Sequence, residues 1–367
     1  MFTLQALGVP EFRAPAHLRN GHVQTIGGAV LRQAPARFAY TSRIRLATPD
    51  GDWFEVDCAL HALGAKEDAV RPAAVVLHGL ESCARGLQSM HLANMFYRCL
   101  GADVYAMNFR GCSGALNATH KSYHLGETAD LQLLIERLVA NDDRRRPRPL
   151  LLAGFSLGGN VIVKYLGESA AHARRHGVAA AAVYCVPFDA VTSQPVLDSG
   201  LLNRYVYSRR FVRSIQRKIA ARHAVLAATE PPPYDLSRVL AARTIGEIDD
   251  AYIAPTYGFA DRWDYYRRCS CGQFLAAVRS PLLVVNAWDD PFYDTSAYPT
   301  AEQLHNEQVQ LVYTQHGGHC GFLERWMPGA RPPWVCDLFA SWFQTALQRW
   351  RRDGVEEPSE PAAIFAE

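Results

Sequence analysis

Strand-like and helix-like segments alternate along the first half of the chain, and this alternation restricts the possible folds more than any other feature. The strand-like segments are 73–77, 103–108, 150–155 and 179–186, and the helix-like segments between them are 86–100, 127–141 and 157–168. Alternation at these lengths predicts βαβ units, and therefore a mostly parallel central sheet with helices on both faces.

The segments before this alternation differ in pattern. Ser42–Ala47 and Trp53–Leu60 alternate apolar and polar residues, and Thr48-Pro49-Asp50-Gly51 between them is strong turn chemistry. This arrangement predicts an antiparallel hairpin. Residues 1–40 are interrupted by prolines, and we expect an irregular N-terminal segment packed on the core.

After residue 186 the alternation stops and resumes only at Pro281–Ala287, which is followed by a strand at Val309–Thr314 and a helix from Trp334 to Trp350. The interruption contains helix-like stretches and many aromatic residues. With 367 residues, the chain exceeds the length at which one core usually divides. It is therefore either two domains or one domain with a long insertion.

Composition excludes several classes of protein. Lys and Arg total 38 against 36 Asp and Glu, so the formal net charge of +2 gives no reason to expect a nucleic acid or an anionic membrane as partner. The longest apolar run, Val178–Val186, is far too short to span a membrane, and the first residues lack the pattern of a signal peptide. The 9 cysteines are scattered without a Cys-x-x-Cys pair. We therefore expect no zinc site, no disulfide framework and a cytoplasmic location.

The strongest local motif is Gly154-Phe155-Ser156-Leu157-Gly158, which follows a predicted strand and precedes a predicted helix. A nucleophile on such a sharp strand-to-helix turn needs small residues two positions to either side, so that the neighbouring backbones can pass. The turn also puts the serine at a helix N-terminus, where free N–H groups favour a developing anion. The motif predicts that Ser156 is a nucleophile.

A serine nucleophile needs a base, and the base needs an acid that orients it. Candidates for both follow later strands in the order Ser, Asp, His. The strand at 281–287 is followed by Asp289 and Asp290, and the strand at 309–314 is followed by His316 and His319. We predict Asp290 as the acid, with Asp289 as the alternative. We predict His319 as the base because glycines flank it, with His316 as the alternative.

The oxyanion hole of such a site combines two backbone N–H groups, one from the residue after the nucleophile and one from the loop after an earlier strand. Here these are Leu157 and Leu80. His78, at the end of the strand 73–77, is predicted to have a structural role, as is Cys320 beside the predicted base.

The order of the motifs also decides the domain organisation. Ser156 precedes the interruption, whereas Asp290 and His319 follow it, and a triad must converge. We therefore predict one catalytic domain over 41–186 and 281–351, a helical cap inserted at 187–280, and a disordered tail at 352–367. Several cap aromatics could line an acyl pocket, although we expect most of them in the core of the cap: Tyr205, Tyr207, Tyr257, Phe259, Trp263, Tyr265 and Tyr266.

Taken together, the motifs resemble the YheT-like family of α/β-hydrolases, also called AB hydrolase family 4. The matching segments are Asn20–Thr25, Leu77–Glu81, Asn108–Gly114, Tyr123–Asp130, Gly154–Asn160, Pro187–Asp189, Asp289–Phe292 and Gly317–Phe322. The resemblance covers roughly residues 20 to 350. The chain departs from the family at Glu81-Ser82-Cys83, where a glycine is expected near position 82.

The resemblance implies an α/β-hydrolase fold and a serine carboxylic-ester hydrolase whose triad is Ser156, an Asp of the Asp289-Asp290-Pro291 turn, and His319. The implied substrates are short- to medium-chain esters or acylglycerol-type lipids, with no metal or organic cofactor. An alcohol acyltransferase that uses the same acyl-enzyme is one alternative. A hydrolase fold kept as a non-catalytic binding protein is another. The expected partner is a small-molecule ester or lipid. We expect no nucleic-acid partner and no segment that spans a membrane.

Overall fold

A computed structural model of the chain describes residues 7–62, 70–140, 142, 148–326 and 332–353. Its centre is a sheet of eight strands: β1 Ser42–Ala47, β2 Trp53–Ala59, β3 Ala73–Leu77, β4 Asp103–Asn108, β5 Leu150–Phe155, β6 Val178–Tyr184, β7 Leu282–Ala287 and β8 Val309–Thr314. Continuous apolar runs form the inner strands, so β3, β5, β6 and β7 are buried along their whole length. Burial on both faces is the expected state of a parallel strand covered by helices on each side.

The strand order is β1-β2-β4-β3-β5-β6-β7-β8. The predicted hairpin pairs β1 with β2, and β2 also runs antiparallel to β4, whereas every other pairing is parallel. The prediction of a mostly parallel sheet with helices on both faces is confirmed. Because parallel strands point the same way, the loops after β3, β5, β7 and β8 meet at one edge of the sheet.

Helices pack on the two faces of the sheet and outside it: α1 Gly21–Val30, α2 Leu87–Cys99, α3 Ala129–Ala140, α4 Leu157–Glu168, α5 Ala170–Arg175, α6 Ala190–Leu197, α7 Arg209–Leu226, α8 Leu236–Ala241, α9 Ile245–Ile248, α10 Ala254–Tyr257, α11 Arg262–Cys269, α12 Ala301–Leu304 and α13 Trp334–Asp353. One hydrophobic core contains side chains of α3 and α4, and the other contains side chains of α2 and α13. Among the described helices, none is long and apolar enough to cross a membrane.

Helices α6 to α11 lie between β6 and β7, with π-helical turns at Asn203–Ser208 and Asp249–Ile253 and a 3-10 segment at Cys271–Ala277. Side chains from this segment attach it to the loop after β4. Tyr257 Oη accepts a hydrogen bond from the N–H of Ser122 at 3.0 Å, and Tyr265 Oη accepts one from the N–H of Leu125 at 2.7 Å. The segment therefore packs on the same edge of the sheet to which the site loops belong.

Two predictions about the ends of the chain need correction. The N-terminal segment is not irregular throughout, because Gly21–Val30 forms α1, capped by the Asn20 side chain, which accepts from the N–H groups of His22 and Val23. Three glycines and several β-branched residues give this stretch a low helix propensity, and tertiary packing overrides it. At the other end, α13 continues to Asp353, two residues into the predicted tail, and 354–367 lie outside the described residues.

Candidate active site

Ser156 lies on a sharp turn between β5 and α4, with φ 54° and ψ −125°. A positive φ is strained for a serine, and two glycines allow the turn. A Cβ on Gly158 would lie 2.4 Å from the main-chain oxygen of His78, and a Cβ on Gly154 would lie 3.0 Å from the carbonyl carbon of Gly158. The glycines of the motif are thus required because α4 lies close to β3 at Gly158 and close to β5 at Gly154.

His319 reaches Ser156 from the loop after β8. The Nε2 atom of His319 lies 3.1 Å from Ser156 Oγ, although the two residues are 163 positions apart in the chain. This loop has an unusual backbone, with positive φ at Gly317, Gly318 and Cys320. The predicted nucleophile and the predicted base are therefore within hydrogen-bond distance.

Asp290 lies behind His319. Its Oδ2 is 2.9 Å from His319 Nδ1, and its Oδ1 accepts a hydrogen bond from the N–H of Phe292 at 2.9 Å. Burial of the imidazole lowers the pKa of His319, but the charge of the Asp290 carboxylate outweighs this effect and raises the pKa above its ordinary value. The carboxylate thus favours the tautomer with hydrogen on Nδ1, which leaves Nε2 free to accept the proton of Ser156.

The two alternative residues, Asp289 and His316, pair with each other instead. His316 Nδ1 lies 3.4 Å from Asp289 Oδ2, and Asp289 Oδ1 accepts a hydrogen bond from the N–H of Gly318 at 2.8 Å. Burial raises the pKa of Asp289. This second pair stabilises the loop that carries His319 and makes no contact with Ser156 among the hydrogen bonds of the described residues.

The loop after β3 approaches Ser156 closely, as the predicted oxyanion hole requires. A Cβ on Gly79 would lie 3.1 Å from Ser156 Cβ, and Leu80 and Leu157 line the same cavity as the serine. Leu157 is the first residue of α4, so its N–H has no partner within the helix. Glu81 begins the stretch in which the chain departs from the family it resembles. This residue takes φ 55°, and its N–H donates to Tyr123 Oη at 2.8 Å.

His78 is fully buried, and both of its ring nitrogens have partners. Its Nδ1 lies 2.7 Å from the carbonyl oxygen of Gly79, and its Nε2 accepts a hydrogen bond from the N–H of Phe109 at 3.1 Å. Burial lowers the pKa of His78 to about 4, so the ring is neutral. These contacts connect the end of β3 to the loop after β4, which is a structural arrangement.

Sequence reasoning missed two neighbours of the predicted base. Tyr293 Oη lies 3.3 Å from Ser156 Oγ and donates a hydrogen bond to the carbonyl oxygen of Cys185 at 2.9 Å. Phe292 stacks on the His319 ring, with centroids 4.1 Å apart. Both aromatics directly follow the Asp290-Pro291 turn. Their position beside the predicted acid was the sequence feature that could have indicated a place in the site.

The larger omission is helix α1, which holds the His319 loop in place. Thr25 Oγ1 accepts a hydrogen bond from the N–H of His319 at 2.9 Å. The Gln24 side chain donates to the carbonyl oxygen of Leu323 at 3.2 Å and accepts from the N–H of the same residue at 2.6 Å. A Cβ on Gly28 would lie 2.7 Å from the Cα of Gly321. Asn20 is a typical N-cap residue and was the signal for this helix.

A cavity of about 590 Å³ opens above Ser156. Its walls come from α1, the β3 loop and the segment between β6 and β7. Of the seven aromatics named from the sequence, Tyr207, Tyr265 and Tyr266 line the cavity, and Tyr205 is exposed to solvent. The other three, Tyr257, Phe259 and Trp263, pack against the hydrophobic core.

Two thiols lie next to the imidazole. The N–H of Cys320 donates to Cys185 Sγ at 3.1 Å, and within the described part of the chain these two residues and His319 form a group whose potential ligand atoms lie within 4.8 Å of one another. Both ring nitrogens of His319 already face Ser156 and Asp290. We therefore attribute the group to the serine site and regard the thiols as packing around it.

Comparison with known proteins gives a consistent result. The model of the alpha/beta hydrolase family matches residues 74–338. The "Putative esterase YheT" of Escherichia coli (strain K12) is 31% identical over 332 residues, which are 89% of this chain and 93% of that protein. "Phospholipase ABHD3" of Bos taurus is 28% identical over 285 residues, 76% of this chain and 66% of that one. Among solved structures, the Pyrococcus furiosus esterase Pf2001 has a TM-score of 0.51 at 14% identity, covering 87% of this chain and 99% of that chain.

Proposed function

This chain belongs to the alpha/beta hydrolase family as a YheT-like, esterase- or lipase-type member, and from that premise we propose that it hydrolyses carboxylic esters through an acyl-enzyme on Ser156. The observation that carries the proposal is the chain of contacts from Asp290 Oδ2 to His319 Nδ1, 2.9 Å, and from His319 Nε2 to Ser156 Oγ, 3.1 Å. A serine hydroxyl is unreactive at its ordinary pKa, and this arrangement provides a base that can remove its proton as it attacks.

In the first half of the reaction, Ser156 Oγ forms a bond to the ester carbonyl carbon while its proton passes to His319 Nε2. The carbonyl electron pair moves onto oxygen. When the tetrahedral intermediate collapses, the bond to the alcohol oxygen breaks, and the His319 imidazolium donates its proton to that leaving group. Asp290 stabilises the imidazolium through its charge.

In the second half, water takes the place of the alcohol. His319 removes a proton from the water as its oxygen attacks the acyl carbon, and Ser156 leaves with that proton. Both tetrahedral intermediates carry a negative oxygen, which we assign to the N–H groups of Leu80 and Leu157. The N-terminal end of α4 adds a favourable partial charge at that position.

We propose that residues 187–280 act as a cap that sets the choice of substrate. The cavity beneath this segment, about 590 Å³, is within the usual range for small-molecule sites. Apolar side chains from the cap and the core line it, including Leu197, Phe211 and Phe292. Short- to medium-chain esters or acylglycerol-type lipids have acyl chains that suit such an apolar lining.

We also propose a location for the protein. Scattered free thiols favour the reducing cytoplasm.

The test is to label the purified protein with a fluorophosphonate and to measure hydrolysis of p-nitrophenyl butyrate. Ser156→Ala should abolish labelling and lower kcat about a millionfold, as loss of a triad serine does elsewhere. Ser214→Ala is the matched control, because Ser214 lines the same cavity and has no hydrogen bond to His319 among those of the described residues. Equal labelling of the Ser156→Ala protein would contradict the proposal.

A second experiment separates hydrolysis from acyl transfer to an alcohol. Ethanol is added to the assay, and the amount of ethyl ester formed is compared with the amount of free acid.

A further inference from the structure

Large apolar side chains are exposed around the mouth of the cavity above Ser156. In α1, Val30 is 73% exposed, and in the segment just before α7, Leu201 is 79% exposed. The exposed apolar side chains of these two segments are Ile26 and Val30 in α1, and Leu201, Leu202, Tyr205 and Val206 in the helical turns before α7. Grouped apolar side chains at the surface mark a site of interaction, because leaving them in water is unfavourable.

The two parts of this surface adjoin each other. The rings of His22, in α1, and Tyr207, in the segment before α7, stack with centroids 5.8 Å apart, and His22 Nδ1 lies 3.2 Å from Tyr207 Oη. Ile26, Val30 and Val206 also line the cavity that holds Ser156. The exposed apolar side chains therefore surround an entrance to the proposed active site.

Positive charge concentrates beside the same entrance. The same helical turns and the first half of α7 carry five exposed arginines: Arg204, Arg209, Arg210, Arg213 and Arg217. None of these five forms an ion pair with another described residue, and Arg210 and Arg217 reach the cavity wall. The net charge of +2 for the whole chain conceals this local excess. We call the six apolar residues and the five arginines the cavity rim.

We propose that the cavity rim docks on a bilayer surface that contains anionic phospholipids. Apolar side chains on such a surface enter the region between headgroups and acyl chains, while neighbouring arginines bind the phosphates. Arginine fits this position because its guanidinium pairs with phosphate in a bidentate geometry and its stem lies along apolar surface.

The position of the rim favours a bilayer over an acidic protein. A protein seated on the rim would cover the cavity entrance, whereas a bilayer would supply lipid esters through it. This last step rests on the proposed esterase function, but the docking itself does not require catalysis. Binding and catalysis can therefore be tested separately.

Docking is measured by co-flotation of the Ser156→Ala protein with vesicles of phosphatidylcholine, with and without phosphatidylglycerol. We expect binding to the anionic vesicles that weakens as salt is added, because salt screens the arginines. Arg209→Gln combined with Arg213→Gln should lower the partition coefficient about thirtyfold, the effect expected for two basic residues at an anionic surface.

The matched control for charge is Arg351→Gln combined with Arg352→Gln. These two arginines lie in the last turn of α13 and directly follow Trp350. The Trp350 ring would lie 3.7 Å from a Cβ on Gly177, the residue before β6. This is the amino end of β6, and therefore the edge of the sheet opposite Ser156. This control has the same change in net charge and should bind vesicles like the parent protein.

The apolar part of the rim is tested by Leu201→Ser combined with Leu202→Ser, which should weaken binding about tenfold or more for each leucine that enters the bilayer. Its control is Val225→Ser combined with Leu240→Ser, which alters two exposed apolar side chains outside the rim. Hydrolysis of p-nitrophenyl butyrate by the same variants with Ser156 intact should be unchanged, since none of these residues lines the cavity.

The proposal would be overturned if binding did not depend on the phosphatidylglycerol content of the vesicles. Equal losses of vesicle binding in the rim variants and the control variants would also overturn it. Absence of binding to any vesicle would also overturn it and would leave an acidic protein as the occupant of the rim. In each of these cases, hydrolysis of the soluble ester would still support the proposed function. Vesicle binding without any esterase activity would support docking and contradict the proposed function instead.

Discussion

Thr25 Oγ1 accepts a hydrogen bond from the main-chain N–H of His319 at 2.9 Å. The first helix of the chain thus fixes the backbone of a loop 294 residues later. The same threonine hydroxyl donates to the carbonyl oxygen of Gly21 at 2.6 Å, so it is held by its own helix while it holds the loop. The orientation of the predicted base therefore depends on α1 as well as on the sheet.

Thr25→Val should lower both thermal stability and activity. Valine has nearly the shape of threonine but no hydroxyl, so the N–H of His319 loses its partner, at a cost of about 1–3 kcal/mol for a buried donor. Thermal unfolding and the kcat for p-nitrophenyl butyrate measure the two effects. Thr25→Ser keeps the hydroxyl and should restore most of both. If valine and serine behave alike, the hydrogen bond does not position His319.

Asp290→Asn should lower kcat about ten-thousandfold, because an amide cannot stabilise the imidazolium and favours the wrong tautomer of His319. Asp289→Asn is the matched variant, one residue away and paired with His316 at 3.4 Å. It should lower stability with little effect on kcat. Steady-state kinetics of both variants decide which aspartate is the acid of the triad. A larger loss of kcat in Asp289→Asn than in Asp290→Asn would reverse the assignment.

The pH dependence of kcat/KM should follow the protonation of His319. Only the neutral imidazole can accept the proton of Ser156, and the Asp290 carboxylate raises the pKa of His319 above 6.5. Activity should therefore be lost as pH falls through a midpoint above 6.5. In Asp290→Asn the residual activity should have its midpoint at lower pH. A midpoint that does not move between the two proteins would contradict the pairing.

Tyr293→Phe should affect stability more than catalysis. The phenol donates to the carbonyl oxygen of Cys185 at 2.9 Å, and burial raises the pKa of Tyr293, so the group stays protonated. Removing the hydroxyl leaves a buried carbonyl without this partner and also removes a competing acceptor for the Ser156 hydroxyl. We expect a lower Tm and a kcat within about tenfold of the parent. A loss as large as that of Ser156→Ala would make Tyr293 a catalytic residue.

Local patterns predicted the elements that carry the site. The limits of β3, β4, β5, β8 and α4 coincide with the segments expected from the sequence. These elements are short segments rich in apolar residues, and α4 follows a glycine turn, so their signals lie within a few residues of one another. The turn at Ser156 is equally local, because the strained φ of 54° needs glycines at fixed spacing.

Helix α1 shows where local patterns fail. Three glycines, Gly21, Gly27 and Gly28, lower the helix propensity of this segment. Each of them lies against a residue far away in the chain, where a side chain would not fit. A Cβ on Gly21 would lie 1.8 Å from the main-chain oxygen of Asp289, and one on Gly28 would lie 2.7 Å from Gly321. The glycines that weaken the helix are those that let it contact the loops carrying Asp290 and His319.

The amino-acid sequence by itself determined the parallel sheet, the turn at Ser156 and the order in which the predicted nucleophile, acid and base follow the strands. These are properties of segments short enough for composition and spacing to define. Only the tertiary structure decided that Asp290 faces His319 while Asp289 faces His316, and that arginines and apolar side chains collect at one entrance. Adjacent residues at the end of a strand point in different directions, and which neighbour each one meets depends on contacts between segments far apart in the chain.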